Sequence, residues 1–176
     1  MSITLTPDQQ TAMDAFGAFI MDPIETVFLL TGYSGTGKTT LVKTLLENMD
    51  SFMKAARLVI PSTPDYEIAL TATTNKAAES FSHLTAREVV TIHSFLGLRV
   101  NTDYRTNVTT LTPKSMTPKE GYLLFIDEAS YVDRQLLDLI FKLTLLLTMN
   151  GVLIQQWRIK KGQNKILHSL GKPIKI

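Results

Sequence analysis

The chain has 176 residues, 44% of them apolar, no cysteine, and a formal net charge of +2. That length suits one α/β domain with its own hydrophobic core and is short for two, and the apolar share is that of a folded globular protein. Without cysteine, a disulfide framework and a thiolate metal site are both excluded, so any metal must be held by oxygen or histidine.

No uninterrupted apolar segment reaches the roughly 18 residues that a membrane span needs. MSITLTPDQQ has neither the basic start nor the apolar core of a secretory signal, so a cytoplasmic protein with no membrane partner is expected. Residues 1–157 hold 12 Lys/Arg against 16 Asp/Glu, a net of −4, whereas the remainder holds six basic residues and no acidic one. The basic balance therefore resides in the tail.

In chain order, Thr6-Pro7-Asp8 followed by Gln9, Ala12, Met13, Phe16, Phe19 and Ile20 reads as a capped amphipathic helix with proline at its first position, ended by Asp22-Pro23. Val27 to Thr31 is rich enough in apolar residues for a buried strand. Lys38 to Asn48 reads as a helix with Leu41, Val42, Leu45 and Leu46 turned inward. A turn around PSTP precedes a strand EIALTA. A helix from near Asn75 then carries Ala77, Ala78, Phe81 and Leu84, and Val89-Val90 suggests another short strand. LRVNTDYRTNVTTL alternates loosely and breaks at Asn101-Thr102-Asp103, which suggests a small hairpin over about 98–112. YLLFIDEAS gives an apolar strand stopping at two carboxylates, followed by a helix from about Asp133 to Leu147; GVLI could open one more strand. Alternation of strands with helices of a dozen residues implies crossovers, hence an α/β fold with a mostly parallel sheet and helices on both faces. The pattern runs over 1–150, leaving 151–176 as a divergent basic tail.

Between the first strand and its helix lies GYSGTGKTT, which satisfies G-x-x-x-x-G-K-[ST] through Gly32, Gly37, Lys38 and Thr39, with a further glycine at Gly35. Residues without Cβ let backbone N–H groups close around anionic oxygens, and the helix that follows adds free N–H donors and its positive end. Lys38 supplies a mobile charge for the β- and γ-phosphates and Thr39 a hydroxyl for Mg²⁺. The motif opens a helix directly behind an apolar strand, which is the context a nucleoside triphosphate site requires. At the end of the later strand, Asp127 can reach Mg²⁺ directly or through water, and Glu128 can orient and deprotonate a water for in-line attack on the γ-phosphate. Lys38, Asp127 and Glu128 are thus the expected catalytic residues, and Thr39 and Asp127 the expected metal ligands.

Taken in order, LTPDQQTAMDAF, GYSGTGKTT, ALTATTNKAAES, TIHSFLG and LLFIDEASYVD resemble five motifs of the first motor domain of superfamily 1 DNA helicases of the 5′-to-3′ class, over roughly residues 3–148. The resemblance implies a RecA-like P-loop fold, ATP with Mg²⁺ as cofactors, and single-stranded DNA as partner. It assigns Gln9 to the adenine edge, which an amide can match by donating and accepting at once. Gly32, Ser34, Gly35, Thr36, Gly37, Lys38, Thr39 and Thr40 would cradle the triphosphate. Thr73, Thr74, Asn75 and Lys76 at a strand-to-helix transition, with Thr91 and His93, would contact the DNA strand; the Thr/Asn cluster is also an ordinary helix N-cap, and both roles can coexist. In the interval where the family carries a wedge, Tyr104 offers a stacking surface and Arg99 and Arg105 phosphate partners.

The family pattern fails beyond the helix after motif II. A Gly-Asp-x-x-Gln motif should follow, but GVLIQQWRIKKGQNKILHSL lacks the Gly-Asp context, so neither Gln155 nor Gln156 takes that role, and these 176 residues do not include the second motor domain that the resemblance leads one to expect. These departures imply a truncated or frameshifted product, a subunit completed by a companion chain, or a divergent regulator, with weak ATPase and no unwinding alone. Arg158, Lys160, Lys161, Lys165, Lys172 and Lys175 could add salt-sensitive phosphate attraction or simply be solvated, and Trp157 could stack on a base or cover an apolar edge. Two other readings stand beside the DNA-coupled ATPase: a noncatalytic or partner-completed nucleotide-dependent DNA-binding module, and an unrelated P-loop NTPase or small-molecule kinase.

Overall fold

A computed structural model of the chain describes residues 4–33, 35–106, 108–117, 119–144, 152–156 and 174–175. Helix α1 spans Pro7–Ile20. Thr6, in extended conformation, accepts from the Gln9 amide at 3.3 Å while the Gln9 side chain accepts from the Thr6 amide at 3.0 Å, so two otherwise unpaired donors are satisfied reciprocally. Strand β1 (Val27–Thr31) is buried along its whole length. Helix α2 (Lys38–Glu47) follows, and Asn48 both ends it and precedes helix α3 (Met49–Val59).

Strand β2 (Glu67–Ala72) leads into α4 (Asn75–Thr85), whose N-cap Thr74 accepts from Ala77 N at 3.1 Å. Then come β3 (Val90–Thr91), the one-turn α5 (Ile92–Phe95), β4 (Leu98–Asp103), β5 (Val108–Pro113) and β6 (Tyr122–Asp127). A 3-10 turn at Ala129–Tyr131, α6 (Arg134–Thr144), β7 (Val152–Gln156) and β8 (Ile174–Lys175) complete the described elements.

Six strands form one sheet in the order β3-β2-β6-β7-β1-β8, each neighbouring pair parallel. Alternation along the strands divides the core into two layers. Phe28, Leu30, Leu123 and Phe125 face one layer with Phe16 and Phe19 of α1, Leu41 and Leu45 of α2 and Met53 of α3. Val27, Leu29, Leu124 and Ile126 face the other with Ile92 and with Leu136, Leu137, Ile140 and Leu143 of α6. Phe16 anchors α1: it is fully buried and meets Phe28 edge-on at 5.4 Å and Phe52 at 5.5 Å, a burial that contributes about 1.5–3 kcal/mol. This is the expected α/β P-loop-type fold with helices on both faces and a small hairpin.

Several boundaries differ from the sequence pattern. Helix α3 was not anticipated; it buries Met49, Met53 and Ala56, and the chain passes from α2 into it without glycine or proline. The hairpin turns at Tyr104–Thr106 rather than at Asn101–Asp103, because Asp103 Oδ1 accepts from Arg105 N at 2.9 Å and so begins the turn from the last strand position, leaving Asn101 paired with Thr110. Leu84, on the cleft side of α4, is 37% exposed. The sheet runs past residue 150: β7 lies between β6 and β1, pairing with both, and β8 flanks β1. Residues 145–147 of the anticipated last helix, Trp157, and the basic positions 158, 160, 161, 165 and 172 lie outside the described residues. Among the described residues, no helix is long and apolar enough to cross a membrane.

Candidate functional site

Because β1 and β6 both run parallel to β7, their carboxyl ends emerge on one edge of the sheet. From β1 the chain turns through Gly32 and Tyr33 and re-enters α2 through Gly37. Gly35 and Gly37 both have left-handed backbone, φ +82° and +79°. The first has open space around it; at the second an added Cβ would lie 2.6 Å from Gln9 Nε2. Ser34, expected in the cradle, lies outside the described residues. Unlike α1 and α4, α2 begins without a capping side chain, an N-terminus whose amides and positive dipole end favour an anion.

Lys38 is 5% exposed, and its Nζ donates to the carbonyls of Gly32 at 3.0 Å and Tyr33 at 2.5 Å. Burial pushes its pKa down, while the nearby Asp127 charge pushes it up. Asp127 moves the other way, up to about 6: burial is the main cause and the Glu128 charge adds to it, whereas the Glu128 amide, donating to Asp127 Oδ1 at 2.9 Å, and the Lys38 charge oppose it. Glu128 itself adopts φ +54°, a conformation costing a non-glycine residue about 1–2 kcal/mol, and such strain gathers where a site must be aimed.

One cleft of about 680 Å³ gathers Gly35, Gly37, Lys38, Thr39 and Thr40 with Asp127, Glu128, Thr74 and Lys76. Sequence reasoning did not assign Ser80, Phe81, Leu84 and Tyr131, which also line it. For α4 the signal was present, since 77, 80, 81 and 84 share one helix face; Tyr131 gave none, its place depending on the left-handed turn at Glu128. Thr39 and Asp127 bring a hydroxyl and a carboxylate to the cleft, a donor set that suits Mg²⁺ when phosphate and water supply the remaining oxygens. Among the described residues no group of three His, Asp or Glu could hold a metal by itself.

Other expected site residues fall elsewhere. Gln9 sits behind the loop, with its Nε2 donating to Thr36 O at 3.0 Å and its Oε1 engaged in the α1 cap. Asn75 and Thr91 line a second groove, of about 450 Å³, with Ser82, His83 and Ser94. His93 is half-buried and lines neither, while Thr91 caps α5 by accepting from Ser94 N at 3.2 Å. Thr73 donates to Glu128 O at 3.2 Å. The consecutive Thr73-Thr74-Asn75-Lys76 thus splits between the carboxylate turn, the cleft and the groove.

A family model described as an AAA domain matches residues 18–154. The chain belongs to this AAA domain family. Among solved structures, the fold of this AAA domain is similar to that of Pif1 from a Bacteroides species, crystallised with ADP-AlF4, at 24% identity and TM-score 0.55. It is likewise similar to the Pif1 helicase of Candida albicans, at 17% identity and TM-score 0.53, and to the large terminase of a thermophilic bacteriophage, at 11% and 0.51. These matches cover 96–99% of this chain but only 36–45% of the other chains, so it spans less than half their length.

Proposed function

We propose that the AAA domain binds Mg-ATP in the 680 Å³ cleft, hydrolyses it by attack of water on the γ-phosphate, and couples that step to single-stranded DNA. The observation that carries this reading is the convergence of the P-loop residues Lys38 and Thr39 with Asp127 and Glu128 on one sheet edge, close enough for Lys38 and Asp127 to shift each other's titration. Gly32, Gly35, Thr36, Gly37 and the first amides of α2, including Thr40, surround the phosphates. Lys38 exchanges the Gly32 and Tyr33 carbonyls for β- and γ-phosphate oxygens. Thr39 and Asp127 would hold Mg²⁺, which supplies charge neutralisation on the phosphates when bound. Glu128 takes the proton of the attacking water. For Gln9 to read adenine, its amide must release Thr36 O or the α1 cap.

The groove beside α4 is the DNA-binding surface of this reading, with Asn75 and Thr91 as hydrogen-bonding contacts, whereas Thr74 and Lys76 belong to the nucleotide cleft, Thr73 to the Glu128 turn, and His93 lines neither. The chain's spanning only 36–45% of the similar proteins supports a second reading, in which a further motor domain or a companion chain completes a nucleotide-dependent module. Nucleotide binding and phosphate release, each with and without single-stranded DNA, separate the two. Lys38→Ala should weaken ATP binding at least about tenfold, and Glu128→Gln should keep binding while cutting hydrolysis by about 10²-fold or more. If both variants bind and turn over ATP as the parent does, the site is misassigned; if DNA leaves phosphate release unchanged in a folded domain, the coupling is rejected.

A further inference from the structure

We propose that Thr73 is a positioning residue for Glu128, holding its backbone in the orientation that aims the carboxylate. This rests on the reading of Glu128 as general base. Two threonines of the β2 segment reach across to the neighbouring strand: Thr71 Oγ1 donates to Phe125 O at 2.7 Å, fully buried, and Thr73 Oγ1 donates to Glu128 O at 3.2 Å. They bracket the Ala72–Asp127 pair, the last in the ladder between β2 and β6. Beyond that pair β6 leaves the sheet through the left-handed Glu128, and β2 turns into α4, so ladder pairing no longer holds Glu128.

Other bonds fix its peptide instead. Glu128 N donates to Asp127 Oδ1, Tyr131 N donates to Glu128 O at 3.2 Å, and the Thr73 hydroxyl adds a link from a segment 55 residues away in the chain. Because a left-handed non-glycine residue persists only where its surroundings over-determine it, loss of that hydroxyl removes one of the bonds that fix Glu128 and loosens its aim while leaving the fold intact. Thr73 also stands two residues before Asn75, which lines the second groove, so a ligand that draws in the start of α4 acts on Glu128 through Thr73.

The test uses the full chain with Thr73→Val, which keeps the shape and removes the hydroxyl, and Thr73→Ser, which restores it. ATP turnover is measured with and without single-stranded DNA, together with amide hydrogen exchange at Glu128 and Tyr131. Thr73→Val should lower kcat about tenfold with KM unchanged and speed exchange at both amides, Thr73→Ser should recover both, and in a Glu128→Gln background Thr73→Val should add nothing. A raised KM with intact kcat, failure of serine to rescue, or unchanged exchange at Glu128 and Tyr131 would overturn the assignment; where turnover is below detection, the exchange result decides alone. If Glu128→Gln leaves turnover intact, the base assignment falls and the positioning role with it. If Glu128→Gln abolishes turnover while Thr73→Val leaves it untouched, only the positioning role falls.

Discussion

Replacing Gly37 with alanine would place a methyl group 2.6 Å from Gln9 Nε2 at a position already held at φ +79°. The left-handed backbone alone costs alanine about 1–2 kcal/mol. Gln9 must also move aside, which forfeits its bond to Thr36 O, worth about 1 kcal/mol net, so the variant should lose about 2–3 kcal/mol of stability. Gln9→Ala alone should cost about 2 kcal/mol, because it removes that bond and the side-chain half of the α1 cap together, while the Gln9 backbone N–H still donates to Thr6 Oγ1. In the double variant the collision disappears along with its partner, so the combined loss should fall short of the sum by about 1 kcal/mol. Urea denaturation followed by circular dichroism on the parent and three variants gives the cycle directly. Strict additivity of the two single losses, within about 0.3–0.5 kcal/mol, would refute the contact between Gln9 and the loop.

The Asp127 carboxyl holds its proton more tightly folded, at about 6, than unfolded, near 3.8. Its contribution is therefore complete below about pH 4 and is lost as pH rises through 6; by pH 7 roughly 3 kcal/mol has gone. Asp127→Asn should flatten this part of the profile, and parallel pH profiles of unfolding free energy for parent and variant would contradict the burial argument. Lys76 and Asn75 face different sites, so Lys76→Ala should weaken ATP binding with little effect on DNA affinity measured without nucleotide, and Asn75→Ala the reverse. Fluorescence anisotropy with labelled ATP and labelled single-stranded DNA checks both, and equal losses in the two assays would rule out the division.

Some of this molecule is written in short stretches of chain. The capped start at Thr6-Pro7, the glycine turn behind VFLLT and the apolar strand closing on Asp127-Glu128 are signals contained within a few residues, and each appears where expected. Helix α3 was harder to read because its start abuts the end of α2 at Asn48, with no breaker to announce a second helix and only Met49, Met53 and Ala56 buried along it. The place of β7 was not legible at all: nothing within GVLIQQ says that it pairs with β1 on one side and β6 on the other.

The sequence by itself determined an α/β P-loop domain and the residue types of its phosphate loop and acidic strand end, because helix periodicity, caps and glycine turns depend on neighbours within one or two turns of chain. Only the tertiary structure decided that Gln9 braces the loop, that Thr73 bonds to Glu128, and that Lys76 and Asn75 point to separate sites. Those relations join segments 27 to 55 residues apart, or depend on how α4 is rotated against the sheet, and long-range strand pairing and packing set them.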